Sequence, residues 1–369
     1  MGMITRAAVC RAPGQPWEIT DLELDEPKAN EVRIRFHAAG LCHSDDHIQK
    51  GDAPMRMPVV GGHEGAGVID AVGAGVTRVS AGDHAVVSFI PACGQCRYCA
   101  TGRQNLCDAG KNAGTGQFED GTFRFHAGGE DFGGLCVLGT FSQYAVVSEF
   151  SVIPVPEEIP FDVAALVACA VPTGWGSAVR AAGVRAGETV VIYGSGGVGS
   201  NAVQGARLAG AKNVVVVDPV EFKRDMAKVF GATHTFASAQ DAHQFVKETT
   251  WGELADHAII TVGKLHDQVI ADAIQVVGKN GQVTITAVGN GWVNENPGLL
   301  IGYQRRLQGA IYGGCSPLYD VPRLIGLYKS GDLKLDELIT QRYGLDEVNQ
   351  GYQDMNDGKN IRGVIIHEH

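Results

Sequence analysis

Residues 187–199 read Gly-Glu-Thr-Val-Val-Ile-Tyr-Gly-Ser-Gly-Gly-Val-Gly, and they restrict the fold more than any other stretch. Thr189–Tyr193 is a short run of β-branched and aromatic residues, the pattern of a buried strand. It breaks at Gly194, and residues 200–208 continue with small side chains at helical spacing. A Gly-x-Gly-x-x-Gly motif carries weight only in such a strand–turn–helix context. Gly194, Gly196, Gly197 and Gly199, with Val198 among them, let the backbone turn tightly and approach a pyrophosphate. The helix start adds unpaired N–H groups and a positive dipole end. The next strand, Asn213–Val217, runs into Asp218, nineteen residues beyond Gly199. A carboxylate there accepts hydrogen bonds from ribose hydroxyls and repels a 2′-phosphate, which predicts NAD over NADP. A glycine turn with a purely structural role is the alternative.

The chain has 369 residues, more than one core usually supports, so two domains are expected. A net charge of −11 argues against nucleic-acid or membrane-surface binding. No apolar run approaches the roughly 18 residues of a membrane span, and no charged-then-apolar export signal opens the sequence. The expected compartment is therefore cytoplasmic, where nine cysteines read as thiols or metal ligands.

The first part reads as short strands separated by turns. Residues 31–36 alternate charged and apolar side chains, the period of a half-buried strand. Residues 68–72 and 85–89 read as further strands, so the first domain is expected to be β-rich. Within it lies Gly40-Leu-Cys42-His43-Ser44-Asp45-Asp46-His47, then Gly61-Gly-His63-Glu64-Gly-Ala-Gly67. A buried cysteine and a satisfied core histidine are the ordinary readings of each alone. Together they supply metal-capable donors that lack one further ligand.

Cys93, Cys96, Cys99 and Cys107 lie within fifteen residues. Four thiolates so spaced close a tetrahedral shell around Zn²⁺ and leave no open position, a structural site. A redox Cys-x-x-Cys pair accounts for only two of them. Residues 108–136 are glycine-rich and polar and read as a long loop without an assigned role. Residues 163–171 form an apolar run that reads as one helix joining the two domains, with Cys169 on it facing the crevice between them. Farther on, strands at 258–262 and 282–288 alternate with helices at 222–230, 241–249 and 266–277, which predicts a doubly wound parallel sheet. A helix near 320–330 and a closing strand at 363–367 complete the expectation.

These motifs resemble the zinc-containing medium-chain alcohol dehydrogenases across essentially the whole chain. The matching residues are Cys42-His-Ser-Asp, Gly-His63-Glu64-Gly-Ala-Gly, the four-cysteine lobe, Cys169 before Thr173-Gly-Trp-Gly-Ser-Ala-Val, the glycine turn, and Gly358-Lys-Asn-Ile-Arg362-Gly. Within that family the chain looks closest to the class III formaldehyde-type branch and its actinobacterial relatives, the nitrosodimethylaniline-dependent enzymes, in which nicotinamide can stay bound between turnovers.

The resemblance implies an α/β protein. A GroES-like catalytic domain would span 1–170 and 312–369, with the structural-zinc lobe at 93–107, and a Rossmann domain 171–311. It implies that Cys42, His63 and Cys169 bind a catalytic zinc, giving two zincs per chain, with Glu64 beside the metal or as an alternate ligand. Asp45 would orient His63. The expected reaction moves a hydride between an alcohol or aldehyde and NAD(H), with Ser44 and His47 carrying the proton away. His43, Thr173, Lys223 and Arg362 would contact the cofactor, although a solvated helix lysine equally describes Lys223. Phe89 and Phe141 match substrate-pocket positions, with core packing as the simpler reading. Cys10, Cys136 and Cys315 read as free thiols. A homodimer or homotetramer is expected. The competing readings are a dehydrogenase for a thiol adduct of formaldehyde and a non-catalytic NAD-binding protein.

Overall fold

A computed structural model describes residues 2–294 and 296–369. It separates into two compact units, one of Met1–Cys169, Ser316–Gly326 and Leu335–His369, the other of Ala170–Cys315 and Leu327–Lys334. Leu327–Lys334 thus leaves the catalytic domain to which the family resemblance assigned it.

In the second unit Thr189–Tyr193 is buried on both faces, as its unbroken apolar run requires. It is central to a six-stranded sheet in which His234–Phe236, Asn213–Val217, Thr189–Tyr193, Ala255–Ile260, Val277–Ile285 and Arg306–Gly309 lie side by side. All the pairings are parallel. Numbered along the chain, the order is 3-2-1-4-5-6, the doubly wound arrangement that binds ligands where the order reverses. Strand 1 meets that reversal, and the glycine turn leaves its carboxyl end. Helix Gly197–Leu208 begins inside the turn rather than after it. The strand expected at 282–288 is longer and starts earlier, at Val277.

The first unit holds a closed barrel of Met3–Cys10, Glu18–Leu24, Phe125–Ala127, Glu130–Gly134 and Val59–Val60. Beside it runs a sheet of Val152–Pro154, His84–Val87, Gly65–Val72, Glu31–Gly40, Arg362–Ile366 and Ile339–Gly344, with Tyr144–Ser148 also paired to Glu31–Gly40. Val32, Ile34 and Phe36 are buried while Arg33 and Arg35 are half-buried, as period-2 alternation predicts. The C-terminal strand lies antiparallel to Glu31–Gly40, with Val364 opposite Gly40. This pairing brings residues from the two ends of the chain to one place.

Two expectations are corrected. Residues 108–136 are not a plain loop: they contain the hairpin Phe125–Ala127 and Glu130–Gly134, turned by Gly128 and Gly129 at φ 58° and 84°. A two-residue turn with both centres at positive φ suits the twist of paired strands and demands glycine or asparagine. Residues 163–171 are not one helix either. Helix Phe161–Leu166 stops, a turn occupies 167–169, and helix Ala170–Gly176 follows. Cys169 sits on that break, where the apolar run masks the interruption. No helix among the described residues is long and apolar enough to cross a membrane.

Candidate functional site

Cys42, His63, Glu64 and Cys169 are all buried, and one donor atom from each lies within 4.8 Å of the others. Each arrives from a different local structure. Cys42 is the extended residue that precedes helix His43–Lys50. His63 and Glu64 lie just before strand Gly65–Val72. Cys169 comes from the break between the two helices.

Asp45, on the first turn of helix His43–Lys50, sets the ring of His63. Its Oδ2 is 3.1 Å from His63 Nδ1, and its Oδ1 accepts the Gly62 N–H at 2.8 Å. The imidazole therefore presents Nε2 towards Cys42. Burial opposes a charge on His63, but Asp45 and Cys42 outweigh it and hold the ring well above its ordinary pKa. The Cys42 thiol is lowered, first by a hydrogen bond from Cys169 and then by His63, while Cys169 is raised by the same bond.

Glu64 Oε2 pairs with the Arg362 guanidinium at the start of the C-terminal strand. Gly40 makes room for that pair: a Cβ there would lie 2.1 Å from Glu64 Oε2 and 2.7 Å from Arg362 Nη2. Burial pushes the Glu64 carboxyl up to about 8, with Arg362 pulling the other way. Glu64 Oε1 is buried without a hydrogen-bond partner. An orphaned carboxylate oxygen among two sulfurs and an imidazole has the chemistry of a cation site, since such an atom otherwise costs about 1–3 kcal/mol. The donors fit zinc.

Ser44 Oγ stands 3.6 Å from Cys42 Sγ, and the buried His47 ring meets Asp52. Phe89 packs edge-on against His63 with ring centroids 5.6 Å apart. It also helps line a cavity of about 330 Å³ with Phe118, Cys136, Val137 and Phe150. Phe141 is different: it is fully buried between Trp17 and Tyr352 and belongs to the core.

The second cluster is local. Cys93, Cys96, Cys99 and Cys107 present sulfurs within 4.8 Å of one another, with Cys93–Cys99 at 3.9 Å and Cys96–Cys107 at 4.0 Å. Sulfurs at about 2.3 Å from a tetrahedral zinc stand about 3.8 Å apart, so the cluster fits zinc and the cysteines are free thiols. Backbone N–H groups of Cys93, Cys96 and Cys99 point at the sulfurs of Cys107, Cys93 and Cys96. Burial pushes Cys99 up to about 12. Four sulfurs this close together are the donor set of a cation site.

In the second unit Gly194 has φ 90° and its Cβ would meet Val262 at 2.9 Å, while a Cβ on Gly199 would lie 2.0 Å from the Gly194 carbonyl. Gly196 contrasts with both. Its φ is −77°, and a Cβ there meets nothing within 4 Å. Neither backbone conformation nor a protein neighbour demands glycine at 196, which fits a surface kept bare for a ligand. Asp218 is buried, accepting Ser195 N–H at 2.8 Å and Val220 N–H at 2.9 Å. Its carboxylate is thereby oriented at the strand end and keeps lone pairs for further donors. Thr261, which sequence reasoning missed, pins the turn by donating to the carbonyls of Gly194 and Tyr193. Thr173 and Lys223 belong to this unit, on helices Ala170–Gly176 and Glu221–Val229. His43 opens helix His43–Lys50 in the first.

Family models describe this combination. Residues 28–157 match the alcohol dehydrogenase GroES-like domain, and residues 197–330 match the zinc-binding dehydrogenase model. The chain belongs to the zinc-binding alcohol dehydrogenase family. It is 56% identical over 368 residues to the NDMA-dependent alcohol dehydrogenase of Amycolatopsis methanolica, covering 99% of each chain. Identity to the S-(hydroxymethyl)glutathione dehydrogenase of Paracoccus denitrificans is 36% over 379 residues, covering 99% of this chain and 100% of the other. The crystal structure of benzyl alcohol dehydrogenase from Acinetobacter calcoaceticus superposes with a TM-score of 0.91 at 28% identity, covering 99% and 100%. As a member of this alcohol dehydrogenase family the chain is an oxidoreductase, and the thiol-adduct reading is not favoured.

Proposed function

We propose that this alcohol dehydrogenase moves a hydride between a small alcohol or aldehyde and NAD(H), with Cys42, His63 and Cys169 holding a catalytic zinc. The observation that carries the proposal is the buried four-donor cluster with its orphaned Glu64 Oε1. Zinc held there would supply a Lewis acid that makes an alcohol hydroxyl easier to deprotonate near neutral pH. A nicotinamide held by the second unit would supply the hydride acceptor. Asp45 keeps His63 in the tautomer that ligates. Arg362 neutralises the oxygen of Glu64 that faces it, leaving Glu64 beside the metal or as an alternate ligand. Ser44, beside Cys42, takes the alcohol proton, and His47 passes it on to water. Cys93, Cys96, Cys99 and Cys107 hold a second, structural zinc.

Gly194, Gly196, Gly197, Val198 and Gly199 form the pyrophosphate cradle in this reading. Asp218 binds the adenosine ribose and selects NAD, and His43, Thr173, Lys223 and Arg362 add cofactor contacts. A relative at 56% identity is named for NDMA dependence, and this supports a nucleotide retained between turnovers and unloaded by a separate oxidant. The same reading takes the chain to be a homodimer or homotetramer, which sedimentation velocity measures.

A panel of alcohols assayed with and without added NAD, and with and without a nitroso acceptor, tests the proposal. Nucleotide released by heat denaturation is measured in parallel. Turnover with acceptor alone, together with released NAD, is the expected result. No turnover of any alcohol, whether NAD, acceptor or both are added, and no nucleotide released, contradicts it.

A further inference from the structure

Helix His43–Lys50 ends in a turn that folds the following residues back over it. Gly51 takes φ 80° and ψ 14°, the left-handed conformation that favours glycine after a helix. The amides of Asp52 and Ala53 then both donate to the His47 carbonyl, at 2.8 and 3.3 Å. This closure carries the Asp52 carboxylate to 3.3 Å from Nδ1 of the His47 ring, which is 5% exposed against 24% for Asp52. A carboxylate just beyond a helix C-terminus is disfavoured by the helix dipole, so helix stability does not account for it. The neighbouring acids are engaged elsewhere. Asp46 takes Lys50 at 2.7 Å and Asn356 at 3.1 Å, and Asp45 serves His63 and Gly62.

We propose that Asp52 is a positioning residue for proton release: it holds His47 as the Nδ1–H tautomer, so that Nε2 is the nitrogen that accepts the proton. This rests on the reading of Ser44 and His47 as the proton path. Alcohol oxidation removes a hydride, with its electron pair, from carbon, and one proton from oxygen. A nicotinamide held by the second unit would take the hydride, while the proton arrives at His47 Nε2. The ring becomes an imidazolium, and the Asp52 carboxylate balances its new charge. Release of that proton to water restores the neutral ring. A carboxylate that accepts from one ring nitrogen fixes the tautomer, orients the ring and stabilises its cation, the logic of a histidine–aspartate pair.

The test uses the full-length holoprotein and the variants Asp52→Ala, Asp52→Glu and His47→Gln. Imidazole ¹⁵N NMR reads the His47 tautomer, and the pH profile of kcat reads proton release. In D52A the Nδ1–H signature is expected to disappear and the acid limb of the kcat profile to move. The kcat at neutral pH falls about tenfold, with KM, zinc content and Tm unchanged, and D52E restores most of the loss. H47Q removes the limb. If H47Q removes the limb while D52A leaves both limb and tautomer unmoved, Asp52 is a structural residue and the proposal fails with the proton path intact. A limb that survives in H47Q overturns the path itself, and with it any role for Asp52 in it.

Discussion

Cys93, Cys96, Cys99 and Cys107 come from fifteen consecutive residues, whereas Cys42, His63, Glu64 and Cys169 come from three separated segments. The first group is sulfur only, partly exposed and braced by its own backbone amides. The second is fully buried, mixes sulfur, nitrogen and oxygen, and is braced by residues from elsewhere: Asp45 behind His63, and Arg362 on Glu64 across the sheet. A local all-thiolate shell is complete in itself and can only hold structure. A shell assembled from distant parts, with three protein donors and a carboxylate restrained to one side, leaves a place for a reactant.

The largest expected effect separates the two directly. Cys42→Ala should lower turnover about a thousandfold, the several kcal/mol a Lewis acid contributes, and remove about one zinc per chain with the fold kept. Cys99→Ser should do the reverse, costing on the order of 3–4 kcal/mol of stability. Its residual folded fraction should retain turnover, as measured by chemical denaturation and active-site titration.

Acid should distinguish them next. His367 Nε2 donates to the Thr140 carbonyl at 3.0 Å, and the Thr140 hydroxyl donates to the Glu64 carbonyl at 3.2 Å, so this histidine is tied to the buried cluster and not to the lobe. Burial is the main cause that brings His367 down to about 4, and burial with its charged neighbours does the same for His37. Both rings are neutral when folded, against an ordinary value of 6.5. Their contribution is therefore complete above pH 6.5 and lost as pH falls towards 4. For His367 it amounts to about 3 kcal/mol at most. Denaturation at pH 7, 5.5 and 4.5 should show this slope, and His367→Gln should flatten it.

Asp45→Asn tests whether the bracing matters: metal affinity at the buried cluster should fall about 10- to 100-fold, with the lobe unaffected. Dialysis against a chelator, followed by zinc analysis, reads both sites. Smallest is Gly196→Val. The Cβ meets no protein atom within 4 Å, so Tm should hold while binding of the proposed NAD weakens by about 1–2 kcal/mol, read by calorimetry with the metal content unchanged.

The same contrast explains what could be read before folding. The glycine turn, the strand before it and the four-cysteine lobe are contiguous, so their chemistry is written in adjacent residues. His63, Cys42 and Cys169 were reached through family resemblance more firmly than through spacing, because no local period joins positions 42, 63 and 169. Gly40 was invisible as a functional residue: its role is to clear space for Glu64 and Arg362, which lie 298 positions apart. The hairpin within 108–136 did leave a signal, Gly128-Gly129, but its strands are too short for alternation to register. The break at 167–169 left none, since apolar residues fill helix and turn alike.

The central claim is that only the buried cluster admits a reactant. Loading of the two proposed zinc sites with cobalt(II) tests it most directly, since the visible bands report ligand geometry at each site. Addition of an alcohol should shift one set of bands, and that set should be missing from Cys42→Ala, while the lobe bands stay fixed. Bands that do not move with alcohol, or that still move in Cys42→Ala, would contradict the account.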